Sequence, residues 1–400
     1  MPIERRITVV FYDEGAPGST PLGGGQLARL NLMRDMDKDI FCPLLLTSHK
    51  NILSDTAESM GIQVVVSPVN PGFRRFDRTR LFTNPLNLVR TLTRGMTASL
   101  RLSSVLRKIR ADIVNPNENL SRVVTLFSKV FIRIPAVCHI DNEWDKGLVD
   151  QIMGRMFTAG FDRLIAVSSR TREIALRYTR NAAKIVTIPT GVNPVRFLGC
   201  DVERLYSTVK SARNRFNIGT VGKLVRFKGQ HLVIKVLGVL RDKLPPFNYI
   251  IIGDGPDRAE LGQYAYSLGL EESVRFLGFR TDVPDLLSGI DLLVQPSETE
   301  ANGLVVIEGM MAGLPVIATE VGGASEIMDG GRLGWLVKPG DETALASAIL
   351  EVACMPQDKR RRLGAEARKY AIKHYSFEQT VRRTEEVYLS LVNKQGQKAC

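Results

Sequence analysis

The chain has 400 residues, of which 44% are hydrophobic and 24% charged, a composition that excludes a disordered or fibrous protein and suggests two domains. Its 54 lysines and arginines exceed its 42 acidic residues, giving a formal net charge of +12. Residues 1–200 hold 28 basic and 17 acidic residues, whereas residues 201–400 hold 26 and 25. This asymmetry favours an anionic partner for the first half: nucleic acid, a phosphorylated substrate or a membrane surface.

The cysteines and the start of the chain indicate the compartment. Five scattered cysteines without a CxxC spacing predict neither a disulfide framework nor a zinc site, so we expect a reducing environment. The first apolar run, residues 7–12, is short and is followed by Asp13 and Glu14, so it predicts neither a signal peptide nor a membrane span. We therefore expect a cytosolic protein that touches a membrane without crossing it.

Short β-branched runs alternate with helical patterns along the chain, which is typical of α/β proteins with parallel sheets covered by helices on both faces. The first series of predicted strands comprises 7–12, 41–47, 62–67, 113–116, 134–139 and 164–168. The second series comprises 216–221, 249–253, 274–277, 292–295, 315–318 and 335–337. The two series predict two Rossmann-like domains over 1–198 and 215–376, a linker over 199–214, and a terminal helix over 377–400 that can pack back on the N-terminal domain.

A glycine-rich segment follows the first predicted strand. Gly23, Gly24 and Gly25 precede Gln26 and a predicted helix over 27–36. Without β-carbons, such a loop lets backbone N–H groups approach a phosphate or a sugar at a helix start. A plain flexible turn is the alternative interpretation.

The loop after the predicted strand 216–221 is basic. Lys223, Arg226 and Lys228 lie between Gly222 and Gly229, and three cations at the carboxyl end of a strand can hold a diphosphate. A solvated basic loop is the alternative. Further on, residues 253–256 read Gly-Asp-Gly-Pro, half of a dinucleotide fingerprint, but an arginine at position 258 replaces the third glycine and disfavours a nicotinamide site.

Two glutamates flank a predicted helix start in the second half. Glu300 and Glu308 are separated by seven residues, with Gly303 at the expected start of the helix that carries Glu308. Free N–H groups at a helix start attract an anion, while two carboxylates accept hydrogen bonds from vicinal hydroxyls of a sugar or a ribose. Such a pair also occurs on ordinary surface helices.

Together these motifs resemble the family 4 retaining glycosyltransferases of the GT-B fold. Segment 188–197 is similar to the sequence that closes the first domain of that family. The motifs that agree in order and spacing with the family are 222–229, 253–256, 300–308, 322–326 and 337–341. The resemblance implies a GT-B architecture, with the acceptor bound by the N-terminal domain and a nucleotide sugar bound mainly by the C-terminal domain.

The resemblance also implies roles for residues of the second half. Lys223 and Lys228 match the phosphate-binding pair, Glu300 faces the donor sugar as a catalytic residue, and Glu308 faces the ribose. The N–H groups of Gly303 and Leu304 meet the diphosphate. Two further residues are expected in the donor site, Gly222 on the lysine loop and Arg280 at the edge of the base pocket.

In the first half, Gly24 and Gly25 match the family's glycine loop on the acceptor side, and His139 matches a catalytic histidine at a strand end. A satisfied, half-buried histidine is the alternative for His139. Two departures from the family pattern are Asn302 in place of phenylalanine and Gln26 in place of glutamate. Asn302 bears on which sugar is accepted, and Gln26 bears on the acceptor side.

The basic charge of the first half is concentrated in residues 71–110, which hold ten basic residues and one acidic residue. On a predicted helix over 86–110, four of the basic residues form one stripe, and before it phenylalanines interleave with arginines. Residues 73–110 therefore predict a surface that docks on anionic lipid. A solvated helix face is the alternative, and nucleic acid is disfavoured because no recognition motif accompanies the charge.

These observations predict a retaining hexosyltransferase that uses a nucleotide diphosphate sugar as donor, with no cofactor and no metal. The charge of the first half favours a lipid-linked, glycolipid or polysaccharide acceptor in cell-envelope glycan synthesis, at the inner face of the plasma membrane. A soluble acceptor is an alternative within the same class. A sugar-nucleotide epimerase and a non-catalytic sugar-nucleotide-binding module are alternatives from other classes.

Overall fold

The computed structural model describes residues 5–14, 22–69, 85–141, 147–209 and 214–396, with side chains throughout except at 85–92 and 394–396. Two compact units emerge. The N-terminal unit comprises Met1–Val167, Thr171–Ile188 and Thr380–Cys400, and the C-terminal unit comprises Ser168–Arg170 and Pro189–Gln379.

In the part of the N-terminal unit that the structure describes, there are seven parallel strands. They form a four-stranded sheet in the order β3-β2-β1-β4 and a three-stranded sheet in the order β5-β6-β7, and a parallel bridge between Val114 and Ala136 links β4 to the residues just before β5. The strands are β1 (Ile7–Tyr12), β2 (Phe41–Thr47), β3 (Gln63–Val66), β4 (Ile113–Pro116), β5 (Val137–Ile140), β6 (Arg163–Ala166) and β7 (Ile185–Thr187). The helices are α1 (Gly24–Asp35), α2 (Ile52–Ser59), α3 (Pro85–Lys108), α4 (Asn119–Ser128), α5 (Leu148–Gly160) and α6 (Ser169–Leu176).

The C-terminal unit is built on one six-stranded parallel sheet in the order β10-β9-β8-β11-β12-β13. Its strands are β8 (Phe216–Val221), β9 (Phe247–Ile252), β10 (Val274–Gly278), β11 (Leu292–Gln295), β12 (Val316–Thr319) and β13 (Trp335–Val337). Its helices are α7 (Glu203–Val209), α8 (Gln230–Leu240), α9 (Arg258–Ser267), α10 (Val283–Ser288), α11 (Leu304–Met311), α12 (Ala324–Ile327), α13 (Glu342–Cys354) and α14 (Gln357–Tyr375). Because all six strands are parallel, the loops that follow them leave from the same edge of the sheet.

The cores explain why these apolar runs become strands. In β1, Val9 to Tyr12 are fully buried, as expected for a strand covered on both faces. In the C-terminal unit, Ile250 and Ile252 face one hydrophobic cluster, while Tyr249 and Ile251 face the other. This alternation follows from the two-residue period of a strand, and it places helices on both sides of the sheet.

The last helix, α15 (Phe377–Gly396), belongs to the N-terminal unit from Thr380 onward. Its Tyr388 is fully buried, and the phenolic oxygen accepts a hydrogen bond of 2.7 Å from the Asn115 side-chain amide. The ring meets Phe11 and Phe41 edge-on, with centroid distances of 6.5 and 6.2 Å. The helix α15 is therefore tied to the strands of the N-terminal unit by one hydrogen bond and two aromatic contacts.

The predicted α/β architecture is confirmed, and β1, β2, β4, β8, β11 and β13 begin and end at the predicted residues. The sequence analysis missed β7, which has only three residues. The predicted linker differs from the structure: residues 203–209 form α7, and Leu205 and Val209 are buried in the core of the C-terminal unit. None of the helices in the described ranges is long and apolar enough to cross a bilayer.

Candidate active site

The loop that follows β8 packs backbone to backbone on the loop that follows β9. Gly222 and Gly253 have φ angles of +152° and +145°, and a Cβ on Gly253 would lie 1.9 Å from the carbonyl oxygen of Gly222. A Cβ on Gly255 would lie 2.3 Å from the Leu224 carbonyl oxygen, and the Leu224 N–H donates to the Asp254 carbonyl at 3.0 Å. The glycines of the Gly-Asp-Gly-Pro motif thus allow the close approach that shapes the basic loop.

Lys228 and Glu300 lie in contact. Lys228 ends a 3₁₀ turn, Arg226–Lys228, and its Nζ donates to Glu300 Oε2 at 2.5 Å. The two side chains are 19% and 22% exposed, so the pair is largely shielded from water. The backbones also approach here, since a Cβ on Gly229 would lie 2.1 Å from the Pro296 carbonyl oxygen. The ammonium group of the basic loop 222–229 is therefore in contact with the carboxylate of the 300–308 motif.

The segment that carries Glu300 is held by its neighbours. Gly322, at φ +57°, allows the chain to pass so close that a Cβ would lie 1.7 Å from the Glu300 carbonyl oxygen. Ser168 Oγ donates to the Ala301 carbonyl at 3.0 Å, and Asn302 Nδ2 donates to the Thr190 carbonyl at 3.2 Å. These contacts fix the segment before any ligand binds, so the Asn302 side chain, expected beside the sugar, has a backbone partner.

The helix α11 begins directly after this segment. Its N-cap, Gly303, has φ +83°, a left-handed conformation that favours glycine, and it has no side chain to cap the helix. The N–H groups of Val306 and Ile307 donate to the Gly303 carbonyl, whereas those of Leu304 and Val305 have no acceptor within the helix. Partly buried Leu304 is the first helical residue. This helix start is the place where the diphosphate is expected.

Glu308 lies in the second turn of α11 with its side chain 19% exposed. Burial raises the pKa of this carboxyl to about 7, and the Arg196 guanidinium, at 3.9 Å, offsets only part of that effect. A carboxyl that is partly protonated near neutral pH can both donate and accept hydrogen bonds, which suits a pair of vicinal hydroxyls.

The two other predicted donor-site cations differ in their surroundings. Lys223 is exposed on the loop after β8. The guanidinium of Arg280 donates to both carboxylate oxygens of Asp282, at 2.8 and 2.5 Å, and Arg204 donates to the same carboxylate at 2.7 Å. The Arg280 guanidinium above all, together with Arg204, holds the pKa of Asp282 well below its usual range. Arg280 is therefore engaged in an ion pair, beside a hollow of about 290 Å³ that is also lined by Phe279.

The predicted residues of the N-terminal unit lie at α1 and β5. The glycine segment is not a loop before a helix, because α1 begins at Gly24 rather than at residue 27, and Gly24 and Gly25 form its exposed first turn. Gln26 Oε1 accepts a hydrogen bond of 3.2 Å from the Gly23 N–H, which caps the helix. Among the described residues, a Cβ on Gly25 would meet nothing within 4 Å.

His139 lies in β5, and its Nε2 is buried with no hydrogen-bond partner among the described residues. Burial lowers the pKa of the imidazole to about 3; the nearby Arg29 and Arg122 add to this effect, and Asp141 opposes it. The ring is therefore neutral at physiological pH, so it can hold a hydroxyl by a hydrogen bond but cannot supply a proton as an imidazolium.

A buried group of charges next to His139 was missed by the sequence analysis. Arg122 donates to the His139 carbonyl at 2.8 Å and to Asp141 Oδ1 at 2.7 Å, and its side chain is only 1% exposed. Arg29 lies 3.5 Å from Asp13 and 3.7 Å from Asp141. One signal was available: Arg122 stands between Ser121 and Val124 on a helix whose neighbouring positions are core-facing. Within the described ranges, no cluster of three or more potential metal ligands occurs.

The fold and the residues gathered at the edge of the second sheet define a class, the GT-B glycosyltransferases. Residues 206–370 match the family model described as Glycosyl transferases group 1, and residues 52–196 match the one described as Glycosyltransferase Family 4. The chain belongs to the family 4 glycosyltransferases, which confirms the resemblance. The solved structure of HepE from Anabaena with UDP-glucose has a TM-score of 0.79, with 23% identity, and covers 96% of this chain and 100% of that chain.

Curated relatives align over shorter segments. The lipopolysaccharide core biosynthesis mannosyltransferase LpsB of Rhizobium meliloti is 32% identical over 184 residues, 44% of this chain and 52% of that protein. The N-acetyl-alpha-D-glucosaminyl L-malate synthase of Bacillus anthracis is 33% identical over 143 residues, 36% of this chain and 37% of that protein. The chain thus matches about half or less of the length of each of these two relatives.

Proposed function

We propose that the protein transfers a hexose from a nucleotide diphosphate sugar to an acceptor with retention at the anomeric carbon. The observation that carries the proposal is the contact between Lys228 and Glu300. Glu300 lies three residues before Gly303, where α11 begins without a side-chain cap. A cation, an acid and free N–H groups then stand within one short segment and the loop packed on it. These are the groups that a sugar joined to a diphosphate calls for.

The chemistry follows from charge. When the bond to the sugar breaks, negative charge grows on the departing nucleotide diphosphate, and Lys228, Lys223 and the N–H groups of α11 stabilise it without a metal. Before the donor arrives, Lys228 is neutralised by Glu300. A diphosphate competes for the ammonium, and the released carboxylate accepts hydrogen bonds from the hydroxyls of the sugar. Glu308, further along α11, is assigned to the ribose.

For the acceptor, we infer a lipid-linked saccharide, glycolipid or polysaccharide of the cell envelope, with the enzyme on the cytoplasmic face of the membrane. The relative LpsB is named for lipopolysaccharide core synthesis, which supports this class. On α3, the exposed residues include Arg94 and Arg101 together with Met96 and Leu100, which are 50% and 49% exposed. Cations beside exposed apolar side chains suit an anionic lipid surface.

The neighbouring helix also exposes apolar side chains. Ser99 Oγ donates to the Val124 carbonyl at 3.1 Å, which ties α3 to α4, and α4 and its end expose Phe127 and Val130, at 42% and 78%. The earlier part of the predicted lipid-binding surface, residues 73–84, lies outside the described residues, as do the side chains of 85–92. The docking proposal therefore rests on the described side chains of α3 and α4 and of the residues that follow α4.

The test is incubation of the full chain with UDP-glucose, UDP-galactose, UDP-N-acetylglucosamine and GDP-mannose, followed by measurement of free nucleotide diphosphate. We expect slow release from one donor and its loss in Lys228→Ala, but not in Lys235→Ala, which removes a lysine that pairs with Glu342 on the surface. Conversion of the sugar without release would indicate an epimerase. Binding without turnover would indicate a non-catalytic module, and either result overturns the proposal.

A further inference from the structure

Arg122 is a charged side chain in the interior of the N-terminal unit. It is 1% exposed and is among the largest fully buried side chains of the described chain. A charge removed from water is costly unless it is paired and hydrogen-bonded, so an arginine is not the residue that stability alone would place there. Its Nε is buried without a hydrogen-bond partner among the described residues. The arrangement leaves part of the guanidinium unsatisfied.

Two of the three side-chain hydrogen bonds of Arg122 lead to one short segment, and the third, from Nη1, reaches Asn119 Oδ1 on α4 itself at 3.4 Å. Nη2 donates to the His139 carbonyl at 2.8 Å and to Asp141 Oδ1 at 2.7 Å, thereby bridging Ile140. Arg122 lies on α4 and these acceptors lie on β5 and directly after it, so the guanidinium ties the helix to the carboxyl end of the strand. Two bonds from one rigid, planar group restrict the rotation of the segment that carries the imidazole.

The same segment is held from a second side. Arg29, on α1, lies 3.7 Å from the other carboxylate oxygen of Asp141 and 3.5 Å from Asp13, which follows β1. Asn117, which follows β4, donates to Asp13. The ends of three strands are therefore joined by charged and polar groups around His139.

We propose that Arg122 is a positioning residue for the transfer reaction: through the His139 carbonyl and Asp141 it fixes the imidazole at the carboxyl end of β5. This inference rests on the proposed function, in which His139 meets a substrate. Arg122 itself contacts no substrate in this scheme. Its effect on turnover passes through His139.

The decisive variant is Arg122→Met combined with Asp141→Leu. Replacing both members of this ion pair leaves no unpaired charge at the buried Arg122 position, and Arg29 keeps Asp13 as a partner at 3.5 Å; replacing Asp141 alone would leave the Arg122 charge buried and unpaired. We expect the double variant to unfold cooperatively near the wild-type temperature, to bind the one of the four sugar nucleotides that wild type uses with a dissociation constant within threefold of wild type, and to release its nucleotide diphosphate at least thirtyfold more slowly. A double variant that folds and turns over like wild type overturns the proposal. If the double variant fails to fold, Arg122→Lys, which keeps the positive charge, is tested in its place. We expect this variant to release nucleotide diphosphate tenfold more slowly than wild type.

Two readouts separate positioning from simple stability. In a His139→Ala background, the same pair of changes should slow turnover by less than threefold, because the group through which Arg122 acts is already gone; a further thirtyfold loss refutes the proposal. The second readout is the ¹³C–¹H signal of the His139 ring, one of four histidines in the chain. It should shift or broaden in the double variant, and an unmoved signal refutes the proposal even if the wild-type protein shows no transferase activity.

Discussion

The ammonium of Lys228 lies 2.5 Å from the carboxylate of Glu300, although 72 residues separate them in the chain. The contact joins two motifs that were identified independently in the sequence. In the absence of donor, each of the two side chains therefore has the other as its partner. Because the two residues are assigned different roles, replacing one or the other should have different effects on donor binding and on turnover.

Lys228→Ala is expected to weaken binding of the donor that the sugar-nucleotide panel identifies by about 10- to 100-fold, as a charge-assisted hydrogen bond contributes roughly 1.5–3 kcal/mol. Glu300→Gln is expected to leave the dissociation constant within about threefold and to lower turnover by about 100-fold or more, because the carboxylate acts on the sugar rather than on the diphosphate. Calorimetric binding and the rate of UDP release measure the two effects. Lys235→Ala serves as the matched control. Unchanged turnover in Glu300→Gln would remove Glu300 from the sugar site.

Gly322→Ala is expected to destabilise the protein and to abolish turnover, because its Cβ would lie 1.7 Å from the carbonyl oxygen of Glu300 and must displace the segment. Gly340 is the control: its φ is +76°, but a Cβ there meets nothing within 4 Å. Gly340→Ala should lower the free energy of unfolding by about 1–2 kcal/mol, because alanine is strained in the left-handed backbone conformation, and should leave turnover unchanged. Urea denaturation and UDP release test both variants, and equal losses would contradict the role given to Gly322.

Glu308→Gln should change how stability depends on pH. The native pKa of Glu308 is about 7 against an ordinary 4.5, so between these values the native state binds more protons than the unfolded state. The free energy of unfolding contributed by this group therefore falls as pH rises from about 4.5 to about 7 and is constant above. Glutamine carries no such dependence, so the variant should match wild type near pH 4.5 and exceed it by about 1–3 kcal/mol at pH 8.

Urea titrations at four pH values measure that difference. Glu118, whose pKa is also raised to about 7, mainly by burial and then by Asp13 and Glu14, is present in both proteins and cancels in the comparison. Identical pH profiles for Glu308→Gln and wild type would show that the Glu308 carboxyl is not held in a desolvated site.

Flotation with vesicles tests the membrane surface. The wild-type chain should bind phosphatidylglycerol vesicles and not phosphatidylcholine vesicles, and Arg94→Glu with Arg101→Glu should reduce binding at least tenfold, since each basic residue near an anionic surface contributes about 1 kcal/mol. Lys359→Glu with Lys369→Glu makes the same change of charge on exposed positions of α14 and should bind like wild type. Equal, negligible binding of the wild type to both lipids would remove the proposal.

The sequence by itself determined the elements and their order. Strands such as β1 and β8 were predictable because buried parallel strands require continuous apolar runs, and the loops between them are marked by glycines and charges. The unequal distribution of basic charge and the order of the five motifs were likewise properties of the chain alone. They were sufficient for the fold and for the family.

Only the tertiary structure decided which groups meet and in what state of charge. Lys228 and Glu300, or Arg122 and Asp141, belong to segments whose approach depends on how strands order in a sheet, and no local pattern encodes that order. The neutral imidazole of His139 and the raised pKa of Glu308 follow from burial by groups distant in the chain. Even the start of α1 at Gly24 required the Gln26 side chain to cap it, because glycine has a low intrinsic preference for helix.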